Sequence, residues 1–394
     1  MTGLLIFLVL VLLTVAIWQL TKIFHLTQSR KTDDDKSPVA TDKDNKTNGY
    51  MMFVFLGIIY LVTILSFIYC GDFPLVSNAA SAHGKEVDRL MIISMAMIFV
   101  VQTITQALLH YFAFKYRGKK GNVATYFADN NKLEFIWSSI PAVVLAVLIF
   151  YGLYAWNDIM FVDKDDKDIM VVEVYAQQFK WTVRYSGKDN VLGKANVRYI
   201  EGVNVLGVDL ADPNAQDDIV SDELHLPKGK KVVFKIRSQD VLHSMYMPHF
   251  RAQMNAVPGM VTQFAFTPIM TTDEMRETPE MVEKVDNINK IRNDKSKDLV
   301  AAGQTALDPY EFNFLLLCNK ICGASHYNMQ MKIVVDTPSD YKKWISSKEK
   351  LVAAVKTAAL ADAASKTDAT SNVVKKDSLM VKPDTTVIAK NEIK

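Results

Sequence analysis

Two hydrophobic periodicities divide the chain. As far as Trp156 the apolar residues gather in four long runs, Leu4 to about Leu20, Tyr50 to Cys70, Leu90 to Phe114 and Leu133 to Trp156. A helix of about 20 apolar residues crosses a hydrocarbon layer of ~30 Å, so each run predicts a membrane-spanning helix. From Ile169 onward the runs shorten and become rich in Val, Ile and aromatics, as in Met170 to Tyr175, Phe179 to Tyr185, Lys231 to Arg237, Val261 to Phe266, Phe312 to Leu317 and Met331 to Val335. Short runs of that kind, separated by Gly, Asp and Pro, predict the strands of an antiparallel sandwich.

The segments between the apolar runs orient them. Lys115, Arg117, Lys119, Lys120 and Lys132 crowd the connection between the third and fourth runs, which puts that loop in the cytoplasm and everything after Trp156 outside. Arg30, Lys31, Lys36, Lys43 and Lys46 place the stretch from Arg30 to Asn48 inside as well, and its lack of any apolar period predicts a flexible loop. Four spans with both ends outside follow. The first run has no basic residue ahead of it, unlike a secretory signal, and is read as a retained helix. Small residues at Ala79-Ala80-Ser81-Ala82 offer a rival processing site. The third run carries Gln102, Thr103, Thr105, Gln106 and His110, and polar residues at that depth face protein rather than lipid. A larger membrane partner is therefore expected.

Residues 268–311 interrupt the strand pattern with a charged stretch. Thr278-Pro279-Glu280 predicts a helix start, with Thr as N-cap and Pro at the first position. Met281, Val282, Val285, Ile288 and Ile291 follow at helical spacing, and this stripe is expected to pack on its own sandwich. Past Ser346 the chain turns to Ala, Lys, Thr, Ser and Asp. Leu351 to Ala364 has helical character, and Thr367 to Lys394 reads as a solvated tail.

With 394 residues the chain has room for more than one domain, and a formal charge of +2 gives no reason to expect a nucleic-acid partner. Three cysteines are too few for a disulfide scaffold. Cys70 is read as a helix-end residue. Cys318, Cys322, His326 and Met329 instead follow one another at intervals of four, four and three. Two thiols, an imidazole and a thioether make a soft donor set that favours copper, and zinc would leave the thioether idle. A second imidazole must come from elsewhere. His243, in Asp240-Val241-Leu242-His243-Ser244 after an apolar run, is the candidate, while His225 and His249 are read as ordinary loop residues. Met245, Met247, Met254 and Met260 are read as soft packing near the metal loop.

Cys-x3-Cys-Gly-Ala-x-His-x2-Met at 318–329, with Asp-Val-Leu-His-Ser at 240–244 and Ala-Val-Pro-Gly-Met at 256–260, closely resembles subunit II of the haem-copper cytochrome c oxidases. The opening of the fourth run, Leu-Glu-Phe-Ile-Trp-Ser-Ser-Ile-Pro, resembles the start of that family's second anchor helix. The resemblance spans roughly residues 87 to 336. It implies an α+β membrane protein, with transmembrane helical hairpins followed by a cupredoxin-like antiparallel β-sandwich. It also implies a dinuclear copper centre, CuA, held by His243, Cys318, Cys322, His326, Met329 and the carbonyl of Lys320. Haem and a third copper are then expected in the partner subunit I. Electrons would come from cytochrome c, oxygen would be reduced to water in subunit I, and protons would be translocated. Phe179 and Trp181 match the aromatic pair that admits electrons, and Glu134 the mouth of a proton path, although the dipole of a helix N-terminus favours a carboxylate there in any case. The compartment implied is the bacterial inner membrane, crossed several times, with the copper domain on the periplasmic side.

On that footing 1–49 holds an additional helix and a cytoplasmic loop, 50–86 a second additional helix and a periplasmic loop, 87–160 the family's hairpin, 161–345 the copper domain, and 346–394 a flexible tail. Two residues depart from the family. Phe179 stands where it usually has Trp, which favours a membrane-bound cytochrome donor over an ordinary soluble cytochrome c. Lys320 stands where it commonly has a Glu that helps bind magnesium, so that site is expected to be absent or rebuilt. Two rival classes fit the residues less well. A membrane-anchored copper chaperone would lack His-x2-Met, and a quinol oxidase subunit would lack the cysteines.

Overall fold

The computed structural model describes residues 2–29, 40–70, 78–162 and 168–358. The chain forms two compact units, Met1–Leu75 with Ile92–Val143, and Val76–Met91 with Val144–Lys394. Four helices carry the apolar runs: α1 (Thr2–Ser29), α2 (Asp42–Cys70), α3 (Ala82–Lys115) and α4 (Asn131–Met160). Among the described residues α2, α3 and α4 are long and apolar enough to cross a membrane, whereas the apolar stretch of α1, Val9–Phe24, is shorter.

In the first unit α2 begins inside the stretch expected to be a loop. Thr41 explains the difference, because its hydroxyl accepts from Asp44 N–H while Asp44 returns a bond to Thr41 N–H, a reciprocal cap. Asp42 also accepts from Lys120 N–H at 2.8 Å, and Asn45 donates to Gly118 O, so the start of α2 is tied to the chain just after α3. The two helices then pack along their length. Tyr50 and Phe53 flank Phe114, Phe67 meets Phe99 edge-on, and Tyr60 donates to Thr103 O. Gly49 lets them approach, since a Cβ there would stand 2.8 Å from the Phe114 ring. His110 is buried beside Phe55. Part of the protein surface expected to cover the polar stripe of α3 is thus α2 itself. Residues 30–39 lie outside the described residues.

The second unit is a sandwich of two five-stranded sheets. In chain order the strands are β1 (Ile169–Gln177), β2 (Lys180–Tyr185), β3 (Ile219–Ser221), β4 (Leu224–Pro227), β5 (Lys231–Ser238), β6 (His243–Met247), β7 (Ala252–Ala256), β8 (Thr262–Phe266), β9 (Phe314–Cys318) and β10 (Gln330–Asp336). One sheet runs β3-β2-β1-β5-β8 and the other β4-β10-β9-β6-β7. All six strands read from the sequence are present. The four others, β3, β4, β6 and β7, are short or lack an apolar run. The sandwich is not wholly antiparallel, because β1 pairs parallel with β5 and β4 with β10. Apolar patterning marks a strand and its buried face without naming its neighbour.

Both faces of β1 are covered. Val172, Val174 and Ala176 enter the core between the sheets with Phe234, Ile236, Phe314 and Ile333. On the opposite face Tyr175 packs with Leu206, Val208, Ala215 and Leu351, and Glu173 lies in a buried charge network. Arg184 bonds Glu173 and Asp218, each at 2.7 Å, and Arg237 bonds the other oxygen of Glu173. Burial opposes ionisation of Glu173, yet the two guanidiniums hold its carboxyl below the usual range.

Segments distant in sequence complete this unit. Ala79, Ala80 and Ser81 are buried; Ala80 N–H donates to His249 O and Ser81 Oγ to Phe250 O, while Ile269 N–H donates to Ala80 O. The small residues that offered a processing site are therefore an integral part of the folded domain. The 268–311 interruption contains α5 (Thr272–Arg276), with a Thr271–Glu274 capping box, and α6 (Pro279–Ala301). Thr278 occupies the expected N-cap position, but its hydroxyl donates backward to Met275 O. Met281 and Val285 pack on the sandwich as expected, whereas Val282 and Ile291 are exposed.

Beyond β10, α7 (Pro338–Ser347) lays Trp344 flat on His225, ring centroids 4.0 Å apart, and His225 bonds Asp336 at 2.7 Å. His225 is thus a paired strand residue rather than a loop residue. Leu351 and Val352 are buried, and Leu351 N–H donates to Asp218 O, so this part of the expected tail is docked by its apolar pair. Residues 359–394 lie outside the described residues.

Two outcomes test this packing in the detergent-solubilised full chain. Glu173→Ala leaves the partly buried Arg237 without its carboxylate and Arg184 with Asp218 alone, and is expected to cost about 3 kcal/mol, read as a lower urea midpoint at unchanged slope. His249 packs edge-on to Phe312 and Phe314, and burial pushes its pKa down from 6.5 to about 4. Its unfolded form takes a proton below about 6.5 and its folded form only below about 4, so its contribution is complete above 6.5 and is lost as pH falls to 4. That loss amounts to roughly 3 kcal/mol. His249→Phe should flatten the fall in melting temperature between pH 7 and pH 4.5.

Candidate metal centre

The ends of three central strands meet at one end of the second sheet. β6 begins at His243 and pairs with β9, Met245 opposite Cys318, while Cys318 N–H donates to Met329 O just ahead of β10 and Asn319 N–H to Ser244 O. These backbone bonds set His243, Cys318 and Met329 side by side. The segment between Cys318 and Met329 then folds back, with a short 3-10 turn over His326–Asn328.

The predicted donors converge. Cys318 Sγ lies 3.7 Å from His243 Nδ1 and 3.9 Å from Cys322 Sγ. Cys322 Sγ lies 3.6 Å from His326 Nδ1 and 3.7 Å from Met329 Sδ. The Lys320 carbonyl is 3.2 Å from Cys318 Sγ, and the Lys320 side chain is exposed. His243, Cys322 and Met329 are buried, and Cys318 and His326 partly so. Burial and the neighbouring Cys318 push the Cys322 thiol up to about 11, so its ionisation at neutral pH calls for a cation at the sulfur. Two thiols, two imidazole nitrogens, a thioether and a carbonyl linked in a series of contacts fit copper, and they give calcium or magnesium too few oxygens.

Asp240 sets the orientation of His243. Its Oδ1 accepts the Nε2 proton at 2.8 Å, which leaves Nδ1 facing Cys318. Burial works against the Asp240 charge, but bonds from Gln178 N–H, His243 and Val241 N–H hold its carboxyl below the usual range. A carboxylate bonded to the far nitrogen of a metal-ligating His fixes both tautomer and ring angle.

The other predicted residues separate. Phe179 is 36% exposed and lies against Gly323, next to Cys322. Trp181 is 1% exposed and meets the His243 ring at 6.1 Å, so it supports the imidazole from within the core and has no surface for a donor. Glu134 is exposed in the first turn of α4, in the other unit, where Asn130 caps the helix through Leu133 N–H. Gln178 bonds both Asp240 and the Cys322 carbonyl, and no spacing or composition signal marks it. Met245 and Met247 are buried packing residues, whereas Met260 is exposed.

Comparison with known proteins identifies the family of the chain. Residues 73–154 match the family model for the cytochrome c oxidase subunit II transmembrane domain, and residues 170–273 that for its periplasmic domain. The second match includes His243 and ends before Cys318. The alternative cytochrome c oxidase subunit 2 of Bradyrhizobium diazoefficiens is 34% identical over 251 residues, 63% of this chain and 75% of that one. The cytochrome c oxidase subunit 2 of Synechocystis sp. is 22% identical over 319 residues, 77% of this chain and 83% of that one. A crystal structure of the periplasmic domain of subunit II of Bradyrhizobium japonicum cytochrome oxidase aligns with 48% of this chain and 96% of that one, at 19% identity and a TM-score of 0.27. With membrane helices ahead of a two-sheet sandwich and its level of identity to a curated relative, the chain belongs to the cytochrome c oxidase subunit II family.

Proposed function

We propose that this chain is the electron-accepting subunit of a proton-translocating cytochrome c oxidase. It takes electrons from cytochrome c, or from a membrane-bound cytochrome, at a dinuclear copper centre and passes them to haem in subunit I, where oxygen is reduced to water. The observation that carries this reading is the contact series His243–Cys318–Cys322–His326 with Met329, drawn from segments 75 residues apart.

His243, His326, Cys318, Cys322, Met329 and the Lys320 carbonyl would hold the metal. Copper held by these donors would supply one-electron transfer, with little rearrangement of its ligands at each step. The protein's part is to keep the donors still. His243 is held by Asp240 on one side and Trp181 on another, and Cys318 and Met329 by the backbone bonds of β6, β9 and β10. Phe179, the partly exposed ring beside the Cys322 segment, is where a donor haem would approach. Glu134 would receive protons on the cytoplasmic side, with the chain spanning the bacterial inner membrane several times and the sandwich in the periplasm.

Paramagnetic resonance of the purified oxidase checks the reading. Two coppers sharing one unpaired electron are expected, and Cys318→Ser should abolish that signal; a wild-type complex with a single zinc in its place would sink the proposal. Asp240→Ala should weaken copper retention by about 10–100-fold against a competing chelator. Glu134→Gln should slow oxygen reduction while leaving the copper spectrum unchanged.

A further inference from the structure

The turn between β1 and β2 lies against both segments that carry ligands. At this turn Gln178 donates its backbone N–H to Asp240 Oδ2 at 2.7 Å, and Asp240 in turn holds His243. The side-chain amide of the same residue donates to the carbonyl oxygen of Cys322. One residue thus joins chain segments 62 and 144 positions away.

A second observation comes from the opposite side of this contact. Gly323 has φ of +141°, a conformation that side chains rarely adopt, and a Cβ there would stand 2.9 Å from Gln178 Nε2 and from two atoms of the Phe179 ring. The metal loop is seated so closely on the turn that only a hydrogen fits. The turn is itself held by the strands, with Gln177 paired to Lys180 and Ala176 to Trp181. Lys180, on the same turn, instead reaches Asp222 at 2.9 Å.

We propose that Gln178 is a positioning residue of the metal centre, which locks the His243 segment to the Cys318–Met329 segment and seats the Phe179 ring over Gly323. The proposal rests on the copper reading above. Ligand geometry and the site of donor approach then share one support, so loosening Gln178 disturbs both.

The intact oxidase complex tests this with Gln178→Leu, Gln178→Asn and Lys180→Ala. The Leu variant keeps the backbone donor and similar bulk but has no amide, while the Asn amide is one methylene short of the Cys322 carbonyl. Both are expected to lose copper to a chelator about 10–100-fold more readily and to change the copper hyperfine pattern, with Lys180→Ala matching wild type. Gln178 variants that match wild type in both measurements overturn the proposal. Amide exchange in the wild-type complex decides independently of whether the variants assemble. The Gln178 N–H should exchange slowly, as its bond to Asp240 requires, and exchange at the rate of an open turn overturns the lock. If wild-type oxidase lacks the two-copper signal, the copper reading falls, whereas slow exchange at Gln178 would still show that the turn is held to the Asp240 segment.

Discussion

The register of β6 against β9 is the constraint on which the site depends. Met245 opposite Cys318 places the ends of the two strands together, and His243 lies two residues before Met245 on the same face. A slip of one residue would turn His243 to the other side of the sheet and part the imidazole from the thiols. Buried Met245 and Met247 oppose that slip, because both would leave the core with it. Apolar packing between the sheets therefore determines donor geometry. On the proposed function the centre would change charge at every turnover and gain from such a frame, since ligands already held in place need little rearrangement.

The frame is closed by pieces from far along the chain. Residues 79–82 lie ahead of two long helices in sequence, yet they bond to the strands and loops of the sandwich, and Asp88 in α3 forms an ion pair with Arg251 at 2.7 Å. Leu351, well past the last strand, fills the small cluster over Tyr175. The domain is consequently larger than its strand pattern, and a fragment beginning after α4 would lack the segment that bonds His249 O and Phe250 O. The buried network of Glu173, Arg184, Asp218 and Arg237 is a related device. It ties the long excursion between β2 and β3 to the outer face of the first sheet with charges rather than apolar bulk. Each guanidinium in it has a carboxylate partner, since a guanidinium left alone there would be costly.

The residues most readily legible in the linear chain were those with chemistry no ordinary packing role requires. Cys318, Cys322, His326 and Met329 announce a soft-metal loop through donor type and spacing, and the long apolar runs announce helices because hydrocarbon thickness sets their length. Strands with dense apolar runs were legible for a similar reason. β6 and β7 were not, because their residues are polar or small and become strands only through pairing with β9 and each other. Trp181 and Phe179 looked equivalent as aromatic neighbours, yet Trp181 lies inside β2 and packs on His243 in the core, while Phe179 precedes the strand and stays partly exposed at the turn.

The order of residues settles donor chemistry, the number of apolar helices and the presence of a β-rich half, since each follows from local composition and period. Which imidazole joins the thiols, which carboxylate holds it, and which amide spans the two loops depend on contacts between segments scores of residues apart. His225, His243 and His249 are the same side chain, and only the motif around His243 set it apart in the sequence. Folding pairs the first with Asp336, brings the second to Cys318 and presses the third between Phe312 and Phe314, because sheet pairing and burial, rather than sequence distance, choose their neighbours.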